Sequence, residues 1–128
     1  MATILFADDS DILRRVVVRM LEQHGHEIVE VRSASETVAV LESGTTIDLA
    51  IADVGLPGRD DPRVMAQVRR LGAAVPLIYI SGVPLAEAVR RYELRPGAAF
   101  LGKPFTVREL MAGIDALLGT RPDGPGAA

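Results

Sequence analysis

Five polar residues stand where short apolar runs break off. Asp8 and Asp9 follow ILFA, Asp53 follows LAIA, Ser81 follows LIYI, and Lys103 follows AFLG. Carboxylates held within a few ångströms of one another repel by about 4 kcal/mol per close pair at an effective dielectric near 20. A hard dication removes that repulsion. Mg²⁺, or Mn²⁺ in its place, takes oxygen ligands, keeps several waters, and is bound by one or two carboxylates together with a phosphate oxygen. A lysine adds a mobile positive charge suited to phosphate, and a serine hydroxyl donates to a phosphoryl oxygen. Brought together, the set is a site for placing a phosphoryl group on an aspartate.

Each residue also has a plainer reading when taken alone. Asp8-Asp9 suits the N-terminus of a helix, Ser81 suits a turn, and Lys103 suits a solvated surface. Phe100 reads as core or half-exposed packing. What decides between the readings is whether the chain brings the residues to one edge.

The elements that would do so are legible. Runs at Thr3–Ala7, Ile28–Val31, Asp48–Ala52, Pro76–Ile80 and Ala98–Leu101 have strand length and strand composition. The second reads EIVEV, and its glutamates predict an exposed edge strand. Helical patterns lie between. Ile12, Val16, Met20 and Leu21 predict the buried face of the first, with Gly25 as its stop. Ser33 with Glu36 predicts a capping box before Val38 and Leu41, and Gly44 ends that helix. Asp61-Pro62 predicts an N-cap and first-turn proline before Val64, Met65 and Val68. Leu85, Ala88, Val89 and Tyr92 predict one face of a fourth helix. Thr106 with Glu109 predicts a second capping box, leading into Leu110, Met111, Ile114, Leu117 and Leu118.

Strand–helix alternation of this kind implies a doubly wound α/β fold with a parallel sheet and helices on both faces. Crossovers in such a sheet are right-handed, so every strand-to-helix turn lies on the same edge. That edge is where α/β sheets bind ligands. All five reactive residues fall on it.

The totals narrow the function. At 128 residues and 48% apolar the chain suits one domain, predicted over residues 1–119 with a disordered Gly/Pro-rich tail over 120–128. The absence of cysteine excludes disulfides, thiolate metal sites and cysteine nucleophiles. A net charge of −3 without a dense Lys/Arg run argues against direct nucleic-acid binding. No apolar stretch has the length of a membrane helix, so the expectation is a soluble cytoplasmic domain without membrane insertion.

The motifs D-D after the first strand, D-V-G-L-P-G at Asp53, I-S-G at Ser81 and L-G-K-P-F at Lys103 stand in order over residues 3 to about 118. In this the chain resembles the receiver (CheY-like) domain of two-component response regulators, including receivers attached to hybrid sensor kinases. The resemblance implies a (βα)5 flavodoxin-like three-layer sandwich with strand order 2-1-3-4-5. It implies Asp53 as phospho-acceptor, with Asp8, Asp9, Asp53 and the Gly55 backbone carbonyl around Mg²⁺. Ser81 and Lys103 would contact the phosphoryl group, Phe100 would be a switch aromatic, and the Lys103–Pro104 peptide would be cis. The implied donor is a histidine kinase or a histidine phosphotransfer protein. The implied output is a downstream protein or dimer partner at the face of helix 4, strand 5 and helix 5. Two departures stand out: Asp61 occupies a position where the family usually has Gly, and Gly55 has no side chain where relatives tune water access.

Other functions fit less well. An aspartate-nucleophile phosphatase of the haloacid-dehalogenase type needs a second acid where this chain has Gly55. An interaction module that is never phosphorylated leaves the acidic set without a purpose. A flavin carrier would meet acid at the first turn. The expected role is a signalling receiver that takes part in its own phosphorylation and dephosphorylation rather than an enzyme with a separate substrate. His24 and His26 flank a turn on the edge away from the aspartates and read as surface residues. Arg90 and Arg91, with Arg108 and Asp115, read as a charged solvated face or a docking surface.

Overall fold

A computed structural model describes residues 2–119. Strands β1 (Thr3–Ala7), β2 (Glu27–Val31), β3 (Leu49–Asp53), β4 (Leu77–Ser81) and β5 (Ala99–Gly102) alternate with helices α1 (Asp11–Gln23), α2 (Ala34–Glu42), α3 (Pro62–Leu71), α4 (Leu85–Arg91) and α5 (Val107–Leu118). The strands pair in parallel in the order β2-β1-β3-β4-β5, as expected. The predicted tail, 120–128, lies outside the described residues.

Strand periodicity divides the chain into two layers of core. Ile4, Phe6, Leu49, Ile51, Ile78 and Ile80 face α1 and α5, where Val17, Leu21, Leu110, Ile114 and Leu118 meet them. The opposite face carries Leu5, Ala7, Ala50 and Ala52 toward α2 and α3. Each large side chain fully buried this way contributes about 1.5–3 kcal/mol. β2 is an edge strand, and Glu27 and Glu30 are exposed on it.

The helix ends follow the predicted chemistry except at α2, where Ser33 caps the helix but the predicted capping box with Glu36 is not closed. Thr106 and Glu109 form a complete capping box. Ser33 accepts from the Glu36 N–H, while the Glu36 carboxylate reaches past the cap to the Arg32 N–H. Asp61 caps α3 through the Arg63 N–H, with Pro62 as the first helical residue. Gly25 and Gly44 stop α1 and α2 at φ +86° and +82°, a region that L side chains avoid.

Three expectations need correction. Strands β3 to β5 run one residue later than predicted, because pairing continues through Asp53↔Ile80 and Ser81↔Gly102. Asp53 and Ser81 therefore end their strands instead of following them. On α1 the buried residues are Arg14, Val17, Val18 and Leu21, whereas Ile12 and Val16 are 81% and 52% exposed. The inner face is turned one position round the helix because Arg14 is drawn inward to polar partners. On α4 only Ala88 is buried, with Leu85 and Val89 exposed. Tyr92 is already extended backbone (φ −128°, ψ 149°) and so does not share the helix face. The segment behind it is tied elsewhere: the Arg95 N–H donates to the Tyr79 hydroxyl, and its guanidinium donates to the Gly72 and Val75 carbonyls.

Candidate phosphoryl-acceptor site

Asp8 directly follows β1 and Asp53 ends β3, so the register of these adjacent parallel strands sets the two carboxylates side by side. Asp8 is fully buried, Asp53 is partly exposed and Asp9 is exposed. Each offers a carboxylate oxygen, and the three oxygens lie within 4.8 Å of one another. Asp8 Oδ1 accepts the Ser10 N–H at 2.8 Å, and Asp53 Oδ1 accepts the Gly55 N–H at 3.0 Å. These bonds fix both side chains before any ligand arrives.

Lys103 closes the site from the other side of the sheet. Its Nζ donates to Asp8 Oδ2 and to Asp53 Oδ2, both at 3.1 Å. Its backbone N–H donates to the Ser81 carbonyl at 2.6 Å, which ties the β5 turn to the end of β4. The Lys103–Pro104 peptide is cis, as the resemblance implies. Burial pulls the Lys103 amine's pKa down, but the bonds to Asp53 and Asp8 outweigh it and hold the amine above its ordinary value. The amine stays protonated.

The donor set suits a hard dication. Three carboxylate oxygens converge, Gly55 follows on the adjoining turn with its N–H bonded to Asp53, and no histidine or cysteine belongs to the cluster among the described residues. Asp8, Asp9 and Asp53 are the residues whose oxygens could hold Mg²⁺.

Ser81 and Phe100 take different positions. Ser81 is buried at the end of β4, and its hydroxyl donates to the Val83 carbonyl and accepts the Val83 N–H, both at 3.0 Å. It is committed to its own turn, not to the carboxylates. Phe100 pairs with Tyr79 across β4 and β5 and is half-buried beside Leu85, Val89 and Tyr92. His24 and His26 lie at the far end of the strands, where His26 Nδ1 accepts the Ala2 N–H. Arg90, Arg108 and Asp115 are exposed, and Arg91 sits 3.7 Å from Glu87.

Sequence reading missed two arginines. Arg14 is 8% exposed, yet it donates to the Asp8 carbonyl at 3.0 Å, to Asp11 at 2.5 Å and to Glu30 at 3.1 Å. Its bond to Asp11, partly offset by burial and aided by Glu30, raises its pKa further. It buttresses the turn that carries Asp8. Arg59 donates to the Glu93 carbonyl and lies 5.8 Å and 5.7 Å from the rings of Tyr79 and Tyr92. The signal for Arg14 was a charged residue three and four places before Val17 and Val18. Nothing in sequence marks Arg59.

An acidic cluster, one lysine and a hydroxyl at the carboxyl edge of a 2-1-3-4-5 sheet define a class of signalling domain. Residues 4–115 match the response regulator receiver domain, and the chain belongs to that family, whose members serve as receivers in two-component systems. It is 34% identical over 123 residues to the regulatory protein VirG of Agrobacterium tumefaciens, covering 94% of this chain and 45% of VirG. It is 28% identical over 118 residues to the sensor kinase CckA of Brucella abortus, covering 91% of this chain and 12% of CckA. The chain thus spans between an eighth and half of these relatives. Among solved structures it is similar to the receiver domain of the sensor histidine kinase PA1611 from Pseudomonas aeruginosa, which has a magnesium ion coordinated in its active-site cleft. That match has a TM-score of 0.80 and 25% identity, and covers 93% of this chain and 98% of that one.

Proposed function

We propose that Asp53 accepts a phosphoryl group from a phosphohistidine of a histidine kinase or phosphotransfer protein, in a Mg²⁺-dependent reaction, within a domain spanning residues 1–119. The observation that carries this reading is Lys103 Nζ at 3.1 Å from both Asp8 and Asp53, beside an unbridged third carboxylate. An Asp53 oxygen attacks phosphorus, the O–P bond forms as the P–N bond breaks, and the imidazole nitrogen leaves with the bonding pair. Bound Mg²⁺ supplies charge neutralisation for the carboxylates and the phosphoryl oxygens. Asp8, Asp9 and Asp53, with the Gly55 carbonyl, would hold the ion, and Lys103 would donate to a phosphoryl oxygen. Water then attacks the same phosphorus, the Asp53 O–P bond breaks with its electron pair returning to the carboxylate, and inorganic phosphate leaves, so the domain contributes to its own dephosphorylation. A cytoplasmic location fits this chemistry, and no described helix is long and apolar enough to cross a membrane.

The phosphoryl group adds charge and acceptor oxygens beside β4. Ser81 leaves its turn with Val83 to donate to it, and Phe100 rotates into the space released. Phe100 is already half-buried, so completing its burial adds about half of the 1.5–3 kcal/mol of a full burial, enough to bias a two-state surface several-fold. The α4–β5–α5 face then carries the output or dimer contact. Backbone chemical shifts with Mg²⁺ and beryllofluoride, a phosphoryl mimic, test this route. Shifts should spread from Asp8, Asp9 and Asp53 through Val83 to Phe105. A response confined to the three aspartates would contradict it.

A further inference from the structure

The two faces of the sheet are built to different standards. Toward α1 and α5 stand Ile4, Phe6, Leu49, Ile51, Ile78 and Ile80, at most 2% exposed. Toward α2 and α3 the neighbouring positions across β1 and β3 are Ala7↔Ala52 and Leu5↔Ala50. Small side chains on adjacent strands leave room, and the covering helix does not fill it. No residue of α3 is fully buried, although Val64, Met65 and Val68 turn toward the sheet. The result is a cavity of about 300 Å³, floored by Leu5, Ala50, Ala52 and Tyr79 and roofed by Met65 and Val68.

A space of that size is at the lower bound of small-molecule sites, about 300–1,000 Å³. An apolar cavity of about 150 Å³ is enough to hold benzene. The charges around this one define its occupant. Arg59 is bonded to the Glu93 carbonyl, Arg69 faces the Glu93 carboxylate at 3.8 Å, and Arg95 is bonded to the Gly72 and Val75 carbonyls. Each guanidinium of the lining is thus already engaged, and Asp53 at one end repels an anion. A cation would lose its hydration against aliphatic walls, and Asp53 already has Lys103. Tyr79 is the aromatic side chain of the lining, with Arg59 5.8 Å from its ring centroid.

The geometry points to a binding site for one uncharged aromatic molecule of one or two rings, between the sheet and α3. It meets the acidic cluster at Asp53, and the rest of its lining lies outside that cluster. A bound molecule fills the gap between β3 and α3 and holds that helix against the sheet.

Indole is the probe, titrated into the full chain and followed by ¹³C-methyl spectra. Ala50, Ala52, Met65 and Val68 should shift saturably, while Ala2 and Ala99 on the opposite face stay still. Ala50→Leu, which places its side chain in the cavity, should weaken indole binding at least tenfold and leave the methyl dispersion of Ile78 and Ile80 intact. Should that variant lose dispersion, Val68→Phe fills the same space from the helix side and should weaken binding equally. Absence of saturable shifts up to the solubility limit, or shifts centred on Phe100 or Ile12, would overturn the site. Binding undiminished in a folded filled variant would overturn it too.

Discussion

Lys103 holds together two carboxylates that would otherwise repel, and its amine is the nearest cation to both. Removing it leaves Asp8 buried beside Asp53 with no compensating charge. Lys103→Met should therefore lower stability by about 1–3 kcal/mol in the presence of chelator. Added Mg²⁺ should restore most of the loss, because the ion replaces the missing charge. Denaturant titrations with and without Mg²⁺ read both effects. A loss that Mg²⁺ leaves unchanged would mean that the carboxylates do not share the ion. A second residue-scale test is independent of the site. His26 Nδ1 accepts the Ala2 N–H, and burial holds its pKa below the ordinary 6.5, against a smaller upward pull from Asp115. The unfolded chain then binds a proton more readily than the folded one. This contribution to stability is complete above about pH 6.5 and is lost as pH falls through the folded value. His26→Gln should flatten that segment of the stability–pH curve, with His24 still present as an internal control. An unchanged slope would show that His26 is solvated.

Among the elements, α1 distinguishes pattern from packing most sharply. Ile12 and Val16 have the spacing of a buried stripe, yet both face solvent, while Val17 and Leu21 are fully buried. Substituting Ile12 or Val16 with Ser should change stability by no more than about 0.5 kcal/mol. Ile114→Ala, at a fully buried position of α5, should cost about 2–5 kcal/mol. Reversed magnitudes in chemical denaturation would place the wrong face of α1 against the sheet. The strand ends were legible to within one residue because turn chemistry is local: an apolar run ending in Asp, Ser or Gly-Lys marks where a parallel strand stops, while pairing between distant strands carries β3 to β5 one residue further. The same signals located Asp8, Asp9, Asp53 and Lys103 before any coordinates. The face of α1 was not legible, because Arg14 is buried through the Asp8 carbonyl and Glu30, partners that only the folded chain supplies. The end of α4 was missed for a related reason. Tyr79 and Arg95 are far apart in sequence, and their contact draws the chain after Arg91 into extended backbone.

At the scale of the whole molecule, the parallel sheet converts distant residues into one site. Asp8, Asp53 and Lys103 are up to 95 positions apart in the chain, and only strand order and register bring them within hydrogen-bonding reach. The same arrangement puts Ser81 on β4, next to Asp53 on β3, and Phe100 on β5 one strand further, the path along which the proposed phosphoryl charge would act. The layers differ in packing as well. The α1–α5 side is filled by large side chains, whereas the α2–α3 side has alanines at Ala7, Ala50 and Ala52 and encloses a cavity of about 300 Å³. All of this depends on Asp53 being the atom that changes. The direct measurement is the intact mass of the chain after incubation with acetyl phosphate and Mg²⁺. The wild type should gain the mass of one phosphoryl group, and the gain should vanish in excess chelator and in Asp53→Asn. Equal modification of Asp53→Asn, or full modification with the metal removed, would contradict the account.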